Sequence, residues 1–166
     1  YSLAQWRNRS HRLVRVSSFS SEEAEFIFSI KDNASINVVG LLDPSFYKQG
    51  AAANAKEMEY ALESLTENLE GSTLLLAHRP EYIAIYSKYN INLVFSGHAH
   101  GGQFRIPFIG GVVAPNQGFF PEFDAGIYTD GDTNMIVSRG IGNSVIPIRI
   151  NNSPEIIIID LKSDDT

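Results

Sequence analysis

The chain has 166 residues, 43% of them hydrophobic, which is enough for one sizeable core and argues for a single domain over residues 1–166. Its formal net charge of −6 is spread along the chain rather than gathered in blocks, so nothing in it signals nucleic-acid binding. Cysteine is absent, which excludes disulfides, thiolate zinc sites and a cysteine nucleophile while leaving the compartment open.

In chain order, Tyr1 to Arg7 lacks the apolar core of a signal peptide, and no stretch of the sequence approaches the ~18 apolar residues of a membrane span. The start at Tyr1, without an initiator Met, reads as a processed or excised piece of something longer. From Arg12 to Leu41 the pattern is that of strands: His11–Val16, then Ala24–Ile30 with Phe26, Phe28 and Ile30 on one face, a turn at Lys31-Asp32-Asn33, and Ile36–Leu41. The period changes between Ala51 and Leu69, where Met58, Leu62, Leu65 and Leu69 recur at helical spacing with Glu57, Glu59, Glu63 and Glu67 elsewhere and Gly71 as a stop. That stripe is a core face packing on a sheet.

The segment Thr73–His98 is a β-α-β unit: a short apolar run, a helix opened by Pro80, and a second short apolar run. Its two strands are expected parallel, with both ends at one sheet edge. Tyr82, Tyr86 and Tyr89 on the intervening helix read as packing residues with wet hydroxyls. After His100 the chain is rich in Gly, Pro and aromatics until Asn134–Ser138, and a closing hairpin is expected to pair Pro147–Ile150 with Ile156–Leu161 across Asn151-Asn152.

His78 ends the first strand of the unit and Gly97-His98-Ala99-His100 follows the second, so all three histidines fall at the carboxyl edge, where open α/β sheets place ligands. A His-x-His pair in extended backbone points both rings one way, and Gly97, Gly101 and Gly102 let the chain turn tightly around what the rings hold. Imidazole suits zinc, iron and related metals. His11, with no partner in the pattern, reads as background.

Around these histidines, Ser96-Gly97-His98-Ala99-His100-Gly101-Gly102-Gln103 resembles the Gly-His-x-His motif of calcineurin-like metallophosphoesterases, and Leu76-Ala77-His78-Arg79-Pro80 resembles the single-histidine motif before it. Phe104–Gly118, Val137–Gly142 and Pro147-Ile148-Arg149 through Pro154-Glu155-Ile156 are similar to the bacterial branch, whose members often carry a membrane anchor; the resemblance runs from Ile36 to Leu161. It implies an α/β fold with a mixed sheet and flanking helices, the C-terminal half of a two-sheet sandwich. It also implies a binuclear site in which His78 and His98 bind one metal and His100 the other. Two divalent ions (Mn, Fe or Zn) per complete site would hold a bridging hydroxide that attacks a phosphate mono- or diester.

The family's Asp-x-His, Gly-Asp-x-x-Asp and Gly-Asn-His-Asp/Glu motifs are missing: Gly131-Asp132 has no second Asp at the right offset, and no Asn-His pair exists. The bridging carboxylate, the amide ligand and the catalytic histidine are therefore absent, and the chain is expected to show little or no phosphoesterase activity alone. An uncovered sheet face and edge would then drive self-association or pairing with the missing N-terminal half. Two readings follow. One is the C-terminal portion of a metal-dependent phosphoesterase, cytoplasmic or membrane-associated when complete; the other is a naturally shortened, non-catalytic metal-binding or interaction module.

Other features carry less. Asp130–Asn134 starts like a calcium loop but has Met135 where Gly is needed and reads as a hairpin turn. Arg139-Gly140-Ile141-Gly142 could approach a phosphate, which makes Arg139 a candidate substrate contact. Arg79 and Arg105 flank the metal motifs and read as surface arginines in preference to phosphoryl contacts, and Asp43 is given no role. The sequons at Asn8 and Asn33 are ascribed to chance.

Overall fold

Seven strands hydrogen-bond into one mixed sheet in the computed structural model, which describes residues 14–19, 24–29, 35–47, 51–115, 117–142 and 148–161. In chain order these are β1 (Val14–Phe19), β2 (Ala24–Ser29), β3 (Ser35–Leu41), α1 (Ala51–Thr66), β4 (Thr73–Ala77), α2 (Ile83–Tyr86) and β5 (Leu93–Ser96). Short hairpins follow, β6 (Arg105–Ile106) with β7 (Gly110–Gly111) and β8 (Val113–Ala114) with β9 (Gly118–Phe119), and then β10 (Gly126–Asp130) and β11 (Thr133–Val137). The sheet order is β1-β2-β3-β4-β5-β11-β10. The inner four strands are parallel, and antiparallel pairs close both sides.

The β-α-β expectation holds. β4 and β5 are parallel neighbours with Leu75 opposite Val94, joined by a turn of 3-10 helix at Pro80–Tyr82 that leads into α2. Proline suits that first turn because its fixed φ matches the helix and its missing N–H is not needed there. The chain leaves this connection at Asn90, whose φ of 50° is the left-handed conformation that stops a helix.

One face of the sheet is covered. Val39, Leu75, Val94 and Met135 lie side by side across β3, β4, β5 and β11, and each has 0% exposure. Met58 and Leu62 from α1 and Ile83 and Tyr86 from α2 close over that row, with Leu65 and Leu69 packed at its margin. The four-residue stripe thus does what its spacing predicts, although α1 ends at Thr66, whose hydroxyl bonds back to the Leu62 carbonyl at 2.7 Å. Each such buried side chain stabilises the fold by about 1.5–3 kcal/mol. Tyr86 departs from its expectation: it is fully buried, and its hydroxyl donates to the Arg79 carbonyl at 2.7 Å instead of meeting water.

The next row points the other way. Leu76, Phe95, Ile136 and Ile127 are neighbours across β4, β5, β11 and β10, yet Leu76 is 42% and Ile127 73% exposed. This face is apolar and open.

The closing hairpin is not formed. Ile150 makes a parallel bridge with Phe104, and residues 152–161 carry no strand pairing. The Ile150 N–H goes to the Gln103 carbonyl at 3.2 Å and the Ile150 carbonyl accepts from Arg105 N–H at 3.0 Å, so the loop after the histidines takes the bonds a hairpin would have used. Ile156 and Ile158 remain 79% and 87% exposed. The Asp130–Asn134 turn does close the β10–β11 hairpin, with Asp130 opposite Thr133 and Gly131 at φ 57°. Pro147, His11, the Lys31–Asn33 turn and both sequons lie outside the described residues. No helix among the described residues is long and apolar enough to cross a membrane.

Candidate metal centre

Three parallel strands deliver the site. His78 directly follows β4, His98 comes two residues after β5, and Asp43 comes two residues after β3. The strand ends are tied together: the His78 carbonyl accepts from Gly97 N–H at 3.2 Å and from the Ser96 hydroxyl at 3.1 Å. Among the described residues, Asp43, His78 and His98 each offer a donor atom within 4.8 Å of the others.

His98 Nδ1 is 3.0 Å from His78 Nε2, with the rings edge to face at 4.7 Å, and Asp43 Oδ2 is 4.0 Å from the same His78 nitrogen. Asp43 is the residue that sequence reasoning passed over. The strand register places it: Leu41 pairs with Ala77, which brings Asp43 and Arg79, two places further along each chain, side by side. They do, with Arg79 Nη2 to Oδ1 at 3.1 Å and Nε to Oδ2 at 3.1 Å. Arg79 also reaches Glu81 at 3.4 Å and is only 13% exposed in its side chain, so it is not a surface arginine.

These contacts set the charge states. Burial opposes ionisation of Asp43, but hydrogen bonds from Arg79 and Ser45 outweigh it and hold the carboxyl at about 2. Burial, reinforced by the positive charge of Arg79 and by His78, pushes His98 down to about 4. At neutral pH the site therefore offers a carboxylate and a neutral imidazole, the forms that bind metal.

The His-x-His stretch is not extended. His98 and His100 both have left-handed backbone, φ 62° and 49°, with Ala99 helical between them and fully buried. Such a conformation costs about 1–2 kcal/mol per non-glycine residue, so the surroundings must hold it. His100 is outside the three-residue group. Burial, together with the nearby Arg149 charge, lowers its pKa, and the neighbouring Gly142 carbonyl works against that shift. Gly101 and Gly102 are required here: both have positive φ, and a Cβ on either would overlap Asn152 and Arg139, or the backbone of Gly111.

Arg139 is ion-paired through one nitrogen. Its Nε is 2.7 Å from Glu155 Oε2, and its stem lies against Gly101. Arg105 is likewise engaged, 2.9 Å from Asp124 Oδ2 and 3.0 Å from the Gly101 carbonyl. A second residue missed from sequence is Asn152, expected in a hairpin turn. It is 3% exposed, and its Nδ2 donates to the His100 carbonyl at 2.6 Å and the Gln103 carbonyl at 3.3 Å.

Fold and donors together define an α/β protein with a histidine and carboxylate cluster at the carboxyl edge of parallel strands, a donor set suited to a zinc-, manganese- or iron-like ion. The chain is 36% identical to the uncharacterized metallophosphoesterase YkuE of Bacillus subtilis over 107 residues, 64% of this chain and 36% of that protein. It is 33% identical to phosphodiesterase YaeI of Escherichia coli over 88 residues, 53% of this chain and 32% of that one. It is also 36% identical over 110 residues to a transmembrane protein with metallophosphoesterase domain from Danio rerio, 64% of this chain and 23% of that protein. Over 53–76% of its length the chain is thus similar to proteins named metallophosphoesterase or phosphodiesterase. The aligned part spans about a third of the length of the bacterial relatives it matches. No family model and no solved structure matches it.

Proposed function

We propose that this chain is the C-terminal part of the catalytic domain of a metal-dependent phosphoesterase. The observation that carries the reading is the convergence of Asp43, His78 and His98 at one sheet edge, with His98 favoured neutral and Asp43 favoured ionised. His78, His98 and Asp43 would hold one divalent ion, and His100 would serve a second. Bound metal supplies Lewis acidity toward a phosphoryl oxygen and lowers the pKa of water. This chain's own residues hold the ligands: Arg79 keeps Asp43 charged, and Glu155 keeps Arg139 folded over Gly101. Arg139, held by Glu155 through Nε, would meet a phosphoryl group through its other guanidinium nitrogens.

The missing family motifs and the open apolar row at Leu76 and Ile127 support the view that a further layer of the domain belongs on that face. The substrate would be a phosphate mono- or diester. The likeness to the Danio rerio transmembrane protein with metallophosphoesterase domain supports a membrane-associated complete protein. The test is turnover of bis(p-nitrophenyl) phosphate by the 166-residue chain with Mn²⁺ or Zn²⁺ added. Metal uptake with little or no hydrolysis is expected, and robust metal-dependent turnover would overturn the incomplete-site reading.

A further inference from the structure

The segment after Ile150 crosses the metal loop and grips it at several points. Asn152 donates to the carbonyls of His100 and Gln103, and the Ile150 N–H also goes to the Gln103 carbonyl. Three residues on, Glu155 takes the Arg139 side chain at 2.7 Å and places its own N–H on the Gly140 carbonyl at 3.1 Å. One strap therefore touches both loops that surround His100, the 98–103 turn and the 139–142 turn. The second loop is pinned from behind, because Arg149 donates to the Arg139 carbonyl at 3.0 Å and to the Gly142 carbonyl.

His100 lies between these grips. Its backbone has a φ of 49°, an uncommon left-handed conformation for a non-glycine residue, and its carbonyl is the one Asn152 binds at 2.6 Å. Its ring lies near the Gly142 carbonyl, the kind of backbone acceptor that can fix a tautomer and leave the other nitrogen for a ligand. The space is matched: Gly101 has no side chain where Asn152 Oδ1 and the Arg139 stem sit. Asn152 Oδ1 itself has no hydrogen-bond partner among the described residues, so the amide is placed there for what its nitrogen donates.

The geometry points to Asn152 as a positioning residue for the metal centre, acting on His100 through the backbone of the His98–Gln103 turn. It would act without being a ligand itself. It fixes the left-handed turn from which the His100 ring projects, and Arg149 and Glu155 hold the facing loop at the matching distance. The metal-affinity arm of the test rests on the functional reading given above; the spectroscopic arm does not.

The experiment uses the full chain labelled with ¹⁵N-histidine, in wild-type form and as Asn152→Asp, which keeps the shape but places a carboxylate oxygen against two carbonyls. Without metal, the long-range ¹H–¹⁵N spectrum is expected to show His100 as one fixed tautomer in the wild type and as an averaged pair in the variant, with His11 unchanged. With Zn²⁺ titrated against a chelator, the variant is expected to bind about 10–100-fold more weakly. A variant that is folded, loses stability in urea, and keeps both the wild-type His100 signal and the wild-type affinity would show that Asn152 is only structural and overturn the proposal. Should Asn152→Asp fail to fold, exchange of the Asn152 side-chain amide protons in the wild type decides: protection supports the strap, and free exchange with solvent overturns it. A wild type that takes up no Zn²⁺ sinks the functional reading, and the His100 tautomer then decides the strap alone.

Discussion

The two faces of the central sheet are built from the same kinds of residue and end in opposite states. Val39, Leu75, Val94 and Met135 are sealed at 0% exposure beneath α1 and α2, whereas in the next row Leu76 on β4 and Ile127 on β10 stand 42% and 73% exposed. Near-continuous apolar runs in parallel strands are what a sheet covered on both sides requires. The sequence of β4, Thr-Leu-Leu-Leu-Ala, is written for two covers, and the described residues supply one. The difference teaches that the stability of this chain is carried by the helical side. The open side leaves apolar side chains exposed among the described residues.

The comparison can be broken most forcefully on the sealed face. Leu75→Ala is expected to cost about 2–5 kcal/mol in urea unfolding, since it removes a fully buried side chain from the middle of the row. A loss below about 1 kcal/mol would mean that the helical cover is loose. Next in size is Arg79→Ala, which strips Asp43 of its main partner in a site where both side chains are nearly buried, 13% and 12% exposed. About 1–3 kcal/mol is expected, with most of it restored in the double variant that also carries Asp43→Asn.

On the open face the expectation reverses. Leu76→Ser with Ile127→Ser should change unfolding free energy by no more than about 0.5–1 kcal/mol while shifting the chain toward monomer on size exclusion. A wild type that elutes as a stable monomer would already count against a missing layer. The smallest effect concerns pH. The Glu155 carboxyl is held below its ordinary value by its hydrogen bond with Arg139. Its stabilisation is present above the unfolded-state value of about 4.5 and is lost as pH falls through the lower folded value. Glu155→Gln should flatten the acid limb of the stability curve in that window, as read by thermal melts from pH 6 to pH 3; an unchanged slope would mean that the ion pair is inert.

Much of this layout was legible in the sequence because it rests on local periodicity. The Met58-Leu62 stripe, the parallel pair around Pro80, and the placing of His78 and His98 at one edge all follow from spacing within a few dozen residues. What escaped depends on contacts that spacing does not encode. Asp43 reaches the site through the pairing of β3 with β4, 36 residues from its partner Arg79. Asn151-Asn152 between apolar runs looks like a turn, yet Ile150 finds a better partner in the loop at Gln103 and Arg105, and Asn152 becomes buried. The left-handed backbone of His98 and His100 was invisible for the same reason: glycines nearby permit a tight turn without saying which residue makes it.

The central claim is that Asp43, His78 and His98 form a metal site in this chain. Elemental analysis of the purified protein after equilibration with Mn²⁺, Fe²⁺ or Zn²⁺ tests it most directly when joined to anomalous scattering from crystals of the same sample. The account predicts at least one divalent ion per chain, with an anomalous peak between these three side chains that disappears in His98→Ala. Substoichiometric metal, or a peak elsewhere with these side chains unliganded, would contradict it.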